Sequence, residues 1–290
     1  MMKRSLKPFF KDIFLNTKGF VPVFPFQVTL EIGDYFMVER GQIIKLGGIR
    51  GNEDFFDLEE PVKISDKFVQ PSEIWQTENR IKTSYKSRGA ALEWDNIYLS
   101  EIQQALIVEF LEKGSYYFRC SEVSARRFEN FAKLSEQILQ KFVSKEFNFK
   151  EIYVVTELAS SDRYAVSVAE SHGNLAIEFG EEGYYDLNDL VSTDVVCYPQ
   201  QSKNLSYNSL DSGKCEFFRA ARLDISYDGK QHVSEHIRHH LPENMQEYYH
   251  NMMNYAKTRM LKLTNVFPGN AVDFYSFYPM GLEDIEDMFQ

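Results

Sequence analysis

The sequence predicts an α+β fold: a twisted, mostly antiparallel sheet flanked by helices. Two observations point there. Apolar residues near the start and after residue 243 follow helical spacing, and the second half between them is a run of strand-like segments broken by turn signals. With 290 residues, 43% hydrophobic content, 24 Phe and 17 Tyr, the chain can bury a sizeable core.

Taken in order, residues 3–17 predict an amphipathic helix. Leu6, Phe9, Phe10, Ile13 and Phe14 share a face, Pro8 sits early enough to be tolerated, and Gly19 stops the helix. Two short strands follow near 34–39 and 41–46, joined at Glu39-Arg40-Gly41-Gln42. Residues 50–66 are acidic and turn-like, and 67–93 read as weak strands and loop. Residues 97–112 look helical, because Ile97, Ile102, Leu106, Phe110 and Leu111 share a helical face. A strand at 115–121 precedes a helix at 128–143. Residues 151–158 and 163–169 then predict a β-hairpin around Ser160-Ser161-Asp162. Further strands are expected at 174–179, 194–198, 203–209 and 215–227. The last ends at Asp228-Gly229, a turn signal. Residues 244–263 predict a final long helix.

Charge is distributed unevenly. The net charge of −11 argues against a nucleic-acid partner, which requires a basic footprint. Residues 1–20 nevertheless carry Lys3, Arg4, Lys7, Lys11 and Lys18 against Asp12 alone. Residues 271–290 carry Asp273, Glu283, Asp284, Glu286 and Asp287 with no basic residue. Cys120, Cys197 and Cys215 form neither a metal-binding spacing nor a disulfide framework, so a reducing, cytoplasmic compartment is expected. The N-terminus lacks the continuous apolar stretch of a signal peptide. No window is long and apolar enough for a membrane-spanning helix, so any membrane crossing would use a β-barrel.

Two features invite a functional reading. His232-Val-Ser-Glu-His236 fits the H-x-x-E-H pattern, which places two histidines and a glutamate for zinc-dependent hydrolysis. The plainer reading is a polar segment between the long strand and the last helix, and no third ligand is apparent. No nucleophile elbow, Walker loop or dinucleotide fingerprint is present, so no cofactor is expected. The second feature is the C-terminal tail. Phe274, Tyr275, Phe277, Tyr278, Met280, Leu282, Ile285, Met288 and Phe289 crowd its last 17 positions. Left exposed, such a segment would be an aggregation liability, so it must dock. It either completes the core or acts as a removable plug whose acidity pairs with a basic surface.

Residue-level similarity to a known family enters at 151–169. Ile152-Tyr-Val-Val-Thr-Glu-Leu158 and Tyr164-Ala-Val-Ser-Val168 resemble a strand pair of the gasdermin pore-forming domain. Phe217-Phe-Arg-Ala-Ala-Arg-Leu223 resembles the strand that closes that domain. The opening is similar in order: a basic amphipathic helix, then Gly19-Phe-Val-Pro-Val, then a hairpin at Phe36-Met-Val-Glu-Arg40. The likeness in order covers about residues 1–227. Only some sixty residues follow, as in the short-tailed bacterial members, whereas animal gasdermins carry a large helical inhibitory domain. Bacterial members often have an acylated cysteine near the N-terminus. This chain has none before Cys120, so either lipidation is absent or the Phe-rich first helix takes its place.

The resemblance implies a gasdermin-like N-domain fold and a non-enzymatic pore former. Residues 1–243 would be the pore-forming domain, 244–270 a helix and cleavable linker, and 271–290 the autoinhibitory tail. A protease would cut near Leu263, Asn265 and Asn270. The freed domain, a monomer while inhibited, would assemble as a homo-oligomeric β-barrel in the anionic inner membrane and kill the cell, as in abortive defence against phage. Lys3, Arg4, Lys7 and Lys11 would bind lipid, each contact contributing about 1 kcal/mol. The 151–169 hairpin, with Tyr153, Val155 and Glu157 on one strand and Tyr164, Val166 and Val168 on the other, would insert with a second hairpin drawn from 67–93. Loss of the tail takes the net charge from −11 to −6. Two rival classes remain open: a zinc hydrolase using His232, Glu235 and His236, and a non-enzymatic binding or immunity protein whose tail is simply core.

Overall fold

The computed structural model describes residues 4–23, 29–39, 42–67, 75–87, 104–144, 152–179, 187, 197–211, 215–240 and 271–289. A single 3-10 turn (Arg4–Leu6) leads into α1 (Lys7–Asn16). Phe9, Phe10 and Ile13 of α1 are fully buried, as the helical spacing predicts. Gly19, at φ 112°, ends the segment. Then come β1 (Val21–Pro22), β2 (Asp34–Glu39), β3 (Gln42–Gly48), the short α2 (Glu53–Phe56), β4 (Ile64–Lys67), β5 (Gln76–Asn79), β6 (Ile81–Ser87), β7 (Gln104–Phe110), β8 (Tyr116–Ser121) and β9 (Ser124–Phe128). Helix α3 (Phe131–Ser144) precedes four long strands: β10 (Ile152–Ser161), β11 (Arg163–Phe179), β12 (Cys197–Asp211) and β13 (Cys215–Ile225). Helix α4 (Tyr227–His240) follows. The tail comprises a 3-10 turn (Ala271–Phe274), β14 (Tyr275–Pro279) and α5 (Leu282–Asp287).

The class is α+β, with curled, antiparallel sheets. Among the described residues the first sheet has eight strands, with β1-β13-β10-β2-β3 as its spine and β14, β9 and β4 attached. The second has six, in the order β5-β8-β11-β7-β6 with β12 against β11. Among the described residues two chain passages link the sheets along one seam, β8 to β9 and β10 to β11, and the start of β13 lies beside them. Register places them side by side, with Ser160 opposite Ser124, Ser161 opposite Cys215, and Arg163 opposite Ser121.

That arrangement corrects the hairpin expected at 151–169. β10 pairs with β13, β2 and β9, while β11 pairs with β12, β7 and β8. The Ser160-Ser161-Asp162 segment does not reverse the chain but carries it from one sheet into the other. The Ser161 hydroxyl sits 2.5 Å from the Ser121 carbonyl oxygen and accepts from the Arg163 N–H, which fixes the passage. The helix expected at 97–112 is corrected over its described part, because 104–110 is strand β7. Both of its faces are buried, so the apolar run lacks alternation and imitates helical spacing. The separate strands expected at 163–169 and 174–179 are one strand, β11, and Asp228-Gly229 lies in the first turn of α4 rather than in a turn.

Two apolar cores result among the described residues. The main one lies under α1, α3 and the first sheet, and includes Phe9, Phe36, Trp75, Phe118, Tyr153 and Phe218. A smaller one lies on the second sheet, where Leu106, Val108 and Phe110 of β7 meet Ala165, Leu175 and Ile177 of β11, together with Leu187 from outside the strands.

Candidate functional site

The site that the structure assembles is the seat of the C-terminal tail. Strand β14 adds to the end of β13 in antiparallel register, from Tyr275 opposite Ile225 to Pro279 opposite Ala221. The pairing continues at both ends, since the Ser226 N–H donates to the Phe274 carbonyl at 2.8 Å and the Met280 N–H to the Ala220 carbonyl at 2.9 Å. A segment joined this way is anchored by its backbone, and only alternate side chains reach the body. Tyr275 is buried and Phe277 half-buried, with its ring 5.4 Å from Phe131 and 6.3 Å from Phe142 of α3.

Helix α5 is held by side chains. Ile285, Met288 and Phe289 are buried, and the Phe289 ring meets Phe10 of α1 edge-on at 5.2 Å. Between them sits Asp284, a carboxylate only 1% exposed. It pairs with the Arg222 guanidinium of β13 and accepts from the Tyr153 hydroxyl of β10 at 3.0 Å and from the Gly281 N–H at 2.6 Å. Every donor it needs is thus supplied by the body or by the turn that starts α5. Burial strips hydration from Arg222 and lowers its pKa. Attraction from Asp284 and Asp224 outweighs that and leaves it above the ordinary arginine value.

At the rim, Glu286 reaches Lys11 at 3.0 Å and Lys7 at 4.0 Å. A hydrogen bond from Lys11, its charge and then the charge of Lys7 hold the Glu286 carboxylate's pKa below the usual range. Two of the four expected lipid-binding cations are therefore engaged by the tail. Arg4 is exposed, and Lys3 lies outside the described residues. The inner face of the same helix is tied to the second sheet, where the Tyr116 hydroxyl donates to Asp12 at 2.5 Å. Helix α1 is therefore clasped by β8 on one side and by the tail on the other.

The expected plug residues divide. Ile285 is buried, Phe274 and Phe277 pack against the main core, and Leu282 is half-buried. Tyr278 is corrected: it is 37% exposed, because its position on β14 points outward opposite Arg222. Tyr275, Met280, Met288 and Phe289 are buried as a docked tail requires. Sequence reasoning missed Asp284 as an anchor and counted it only as one charge among five. The expected cut at Leu263, Asn265 and Asn270, and the helix at 244–263, lie outside the described residues.

Of the remaining sites, Tyr153, Val155, Tyr164, Val166 and Val168 are buried in the main core. Glu157 is paired with Arg219 at 2.8 Å, and the Arg219 guanidinium also covers the Phe20 ring at 4.2 Å. The His232–His236 motif does fall on a helix, α4. The His232 ring lies against Phe274 of the tail, with ring centroids 4.8 Å apart, and Glu235 accepts from Gln231 at 3.1 Å. Among the described residues no three His, Cys, Asp or Glu side chains converge as a metal site. Beside His232, Gly229 faces the Phe274 carbonyl so closely that a Cβ there would collide with it.

No protein-family model matches this chain, and no curated protein matches it.

Proposed function

We propose that the chain is an autoinhibited pore-forming protein of gasdermin type. A protease severs the tail, the body binds anionic lipid through α1, and copies assemble into a β-barrel that breaches the membrane. The observation that carries this reading is the tail's mode of attachment. It is added to the edge of β13, gripped at one buried carboxylate, and it engages Lys11 and, at longer range, Lys7 through Glu286. Because these ion pairs lie on the basic face of α1, removal of the tail frees the cations that the proposal assigns to lipid.

The strands offer a unit suited to insertion that differs from the one expected from sequence. β6 and β7 form one antiparallel pair, β11 and β12 another, and β7 lies beside β11. β11 and β12 contain 17 and 15 residues, more than the roughly 9–11 that span a bilayer. β7 and β11 bring a ready apolar face in the smaller core, while β12 is rich in Asn, Gln and Ser, the mixture a barrel with a wet lumen uses. Released from the second sheet, the two pairs could extend side by side.

The test is dye release from liposomes containing anionic phospholipid. The intact chain and the same chain cut at an engineered site between 263 and 273 are compared. Leakage only after cutting is expected. A cut product that remains folded, binds these vesicles or not, and releases no dye would refute the proposal.

A further inference from the structure

The second sheet is creased, because its strands all break on one line. β5 ends at Asn79 and β6 begins at Ile81, and between them Arg80 takes φ 52°. Beside it lies the turn from β7 to β8, residues 111–115. β11 comes next. It pairs with β8 up to Val168 and with β7 from Gly173, and its register breaks between Ala169 and Asn174. On the far edge Asn204 of β12, at φ 58°, sits inside that same break, between Lys203 and Leu205. Left-handed backbone is costly for Arg and Asn, so these kinks are held in place by their surroundings. Bonds run along the line: Leu111 N–H to the Arg80 carbonyl at 3.1 Å, Gly114 N–H to the Ala169 carbonyl at 2.9 Å, and the Asn204 amide to the His172 carbonyl at 2.8 Å. The crease also bounds the main core. That core takes Tyr116, Phe118, Tyr164, Val166 and Val168 from one side of the line, and among the described residues nothing from the other side, which is β6, β7, 173–179 and 197–203.

The start of α1 stands on this line. The buried Ser5 hydroxyl donates to the Ser206 hydroxyl at 3.2 Å, and Ser206 donates to the Val168 carbonyl at 3.0 Å. The Ser5 carbonyl lies against Gly114, where a Cβ would come within 3.3 Å of it. Farther along the helix, Asp12 holds the hydroxyl of Tyr116, the first residue of β8. We propose that the crease is a hinge and the start of α1 its latch: the four outer segments, two antiparallel pairs, turn on this line as one unit once α1 has left it. Turning must re-extend the backbone at Arg80, at 111–115 and at Asn204, and Ser5 and Asp12 are bonded to or packed against that backbone and its neighbours. What removes α1 rests on the function proposed above: loss of the tail takes away the Glu286 contacts, and anionic lipid draws the helix off. One helix then both senses the membrane and releases the strands, so the strands extend only where lipid is present.

The experiment pins the latch. Ser5→Cys with Ser206→Cys, in the full chain carrying Cys197→Ser, replaces two hydroxyls 3.2 Å apart by thiols that copper phenanthroline links, as mass spectrometry verifies. The linked chain is cut at the engineered site and mixed with liposomes of anionic phospholipid. Dye release roughly tenfold below that of the same protein reduced with dithiothreitol is expected. Hydrogen exchange at 173–179 and 197–203 should rise on the vesicles in the reduced form alone. Equal leakage, or equal exchange, from pinned and reduced protein would overturn the latch. A second arm needs no membrane. Asp12→Ala in the uncut chain, or Tyr116→Phe where that variant does not fold, removes one tie between α1 and the crease. Exchange should rise about fivefold in the outer segments and stay unchanged at 152–161 and 215–225. No rise, or a rise of the same size in β10 and β13, would overturn the hinge. If neither pinned nor reduced protein leaks, the pore reading itself has failed, and the second arm still decides the hinge.

Discussion

Strand β14 and helix α5, separated only by Met280 and Gly281, close over the same body by different means. β14 is anchored through peptide groups, and two of its five side chains, at Tyr278 and Pro279, are exposed. α5 contributes few backbone contacts to the body but buries Asp284 and Ile285, with Met288 and Phe289 just after it. Backbone pairing sets register and tolerates sequence change, whereas side-chain anchoring sets strength and does not. The tail is thus a permissive strand joined to an exacting helix.

The largest expected effect is at Asp284. Asp284→Ala removes the buried member of the pair and an acceptor of the Tyr153 hydroxyl, and leaves Arg222 with only the longer contacts to Asp224 at 3.5 Å and Glu283 at 4.0 Å, at a cost of about 3–5 kcal/mol of tail docking. Hydrogen exchange at residues 275–289 of the full chain should rise sharply, and protection equal to wild type would show that α5 is not the anchor. Next is Ile285→Ala, at about 2–4 kcal/mol because the side chain is fully buried, with a matching drop in the temperature at which the tail becomes protease-sensitive. Phe277→Ala on the strand, half-buried against α3, should cost less than either. Tyr278→Ser, on the exposed side, should lie within about 0.5 kcal/mol of wild type. A strand variant that outranks Asp284→Ala would invert the comparison.

Alkaline pH gives a test specific to the strand. Burial, then the Asp224 charge, push the Tyr275 hydroxyl up to about 12. The unfolded tyrosine ionises near 10, so this residue's contribution is complete below pH 10 and is lost as pH rises towards 12. Tail protection should fall across that window in wild type and fall less in Tyr275→Phe. Equal loss in the two proteins would assign the effect to another group.

Much of this was legible locally. The helical spacing of Phe9, Phe10 and Ile13, the hairpin of β2 and β3, and the long strand at 215–225 each follow from neighbouring residues. Strand β7 was not, because burial on both faces removes the alternation that marks a strand. The passage at Ser161 carries the residues of a turn, and only the distant partners β13 and β8 reveal that the chain continues. Asp284 stands among Glu283, Glu286 and Asp287 with nothing local to single it out. Its partner, Arg222, lies on a strand that the sequence does not connect to it.

The bare backbone at Gly229 gives the molecule a tolerance requirement outside its tail. Helix α4 passes the Phe274 carbonyl at a clearance that only hydrogen permits, so the fit of the tail depends on a position the tail does not contain. Gly229→Ala would act as a wedge, weakening closure while leaving every residue of the tail and every cation of α1 in place. How firmly the tail closes could therefore be set from α4, much as a lid is adjusted at its frame rather than at its handle.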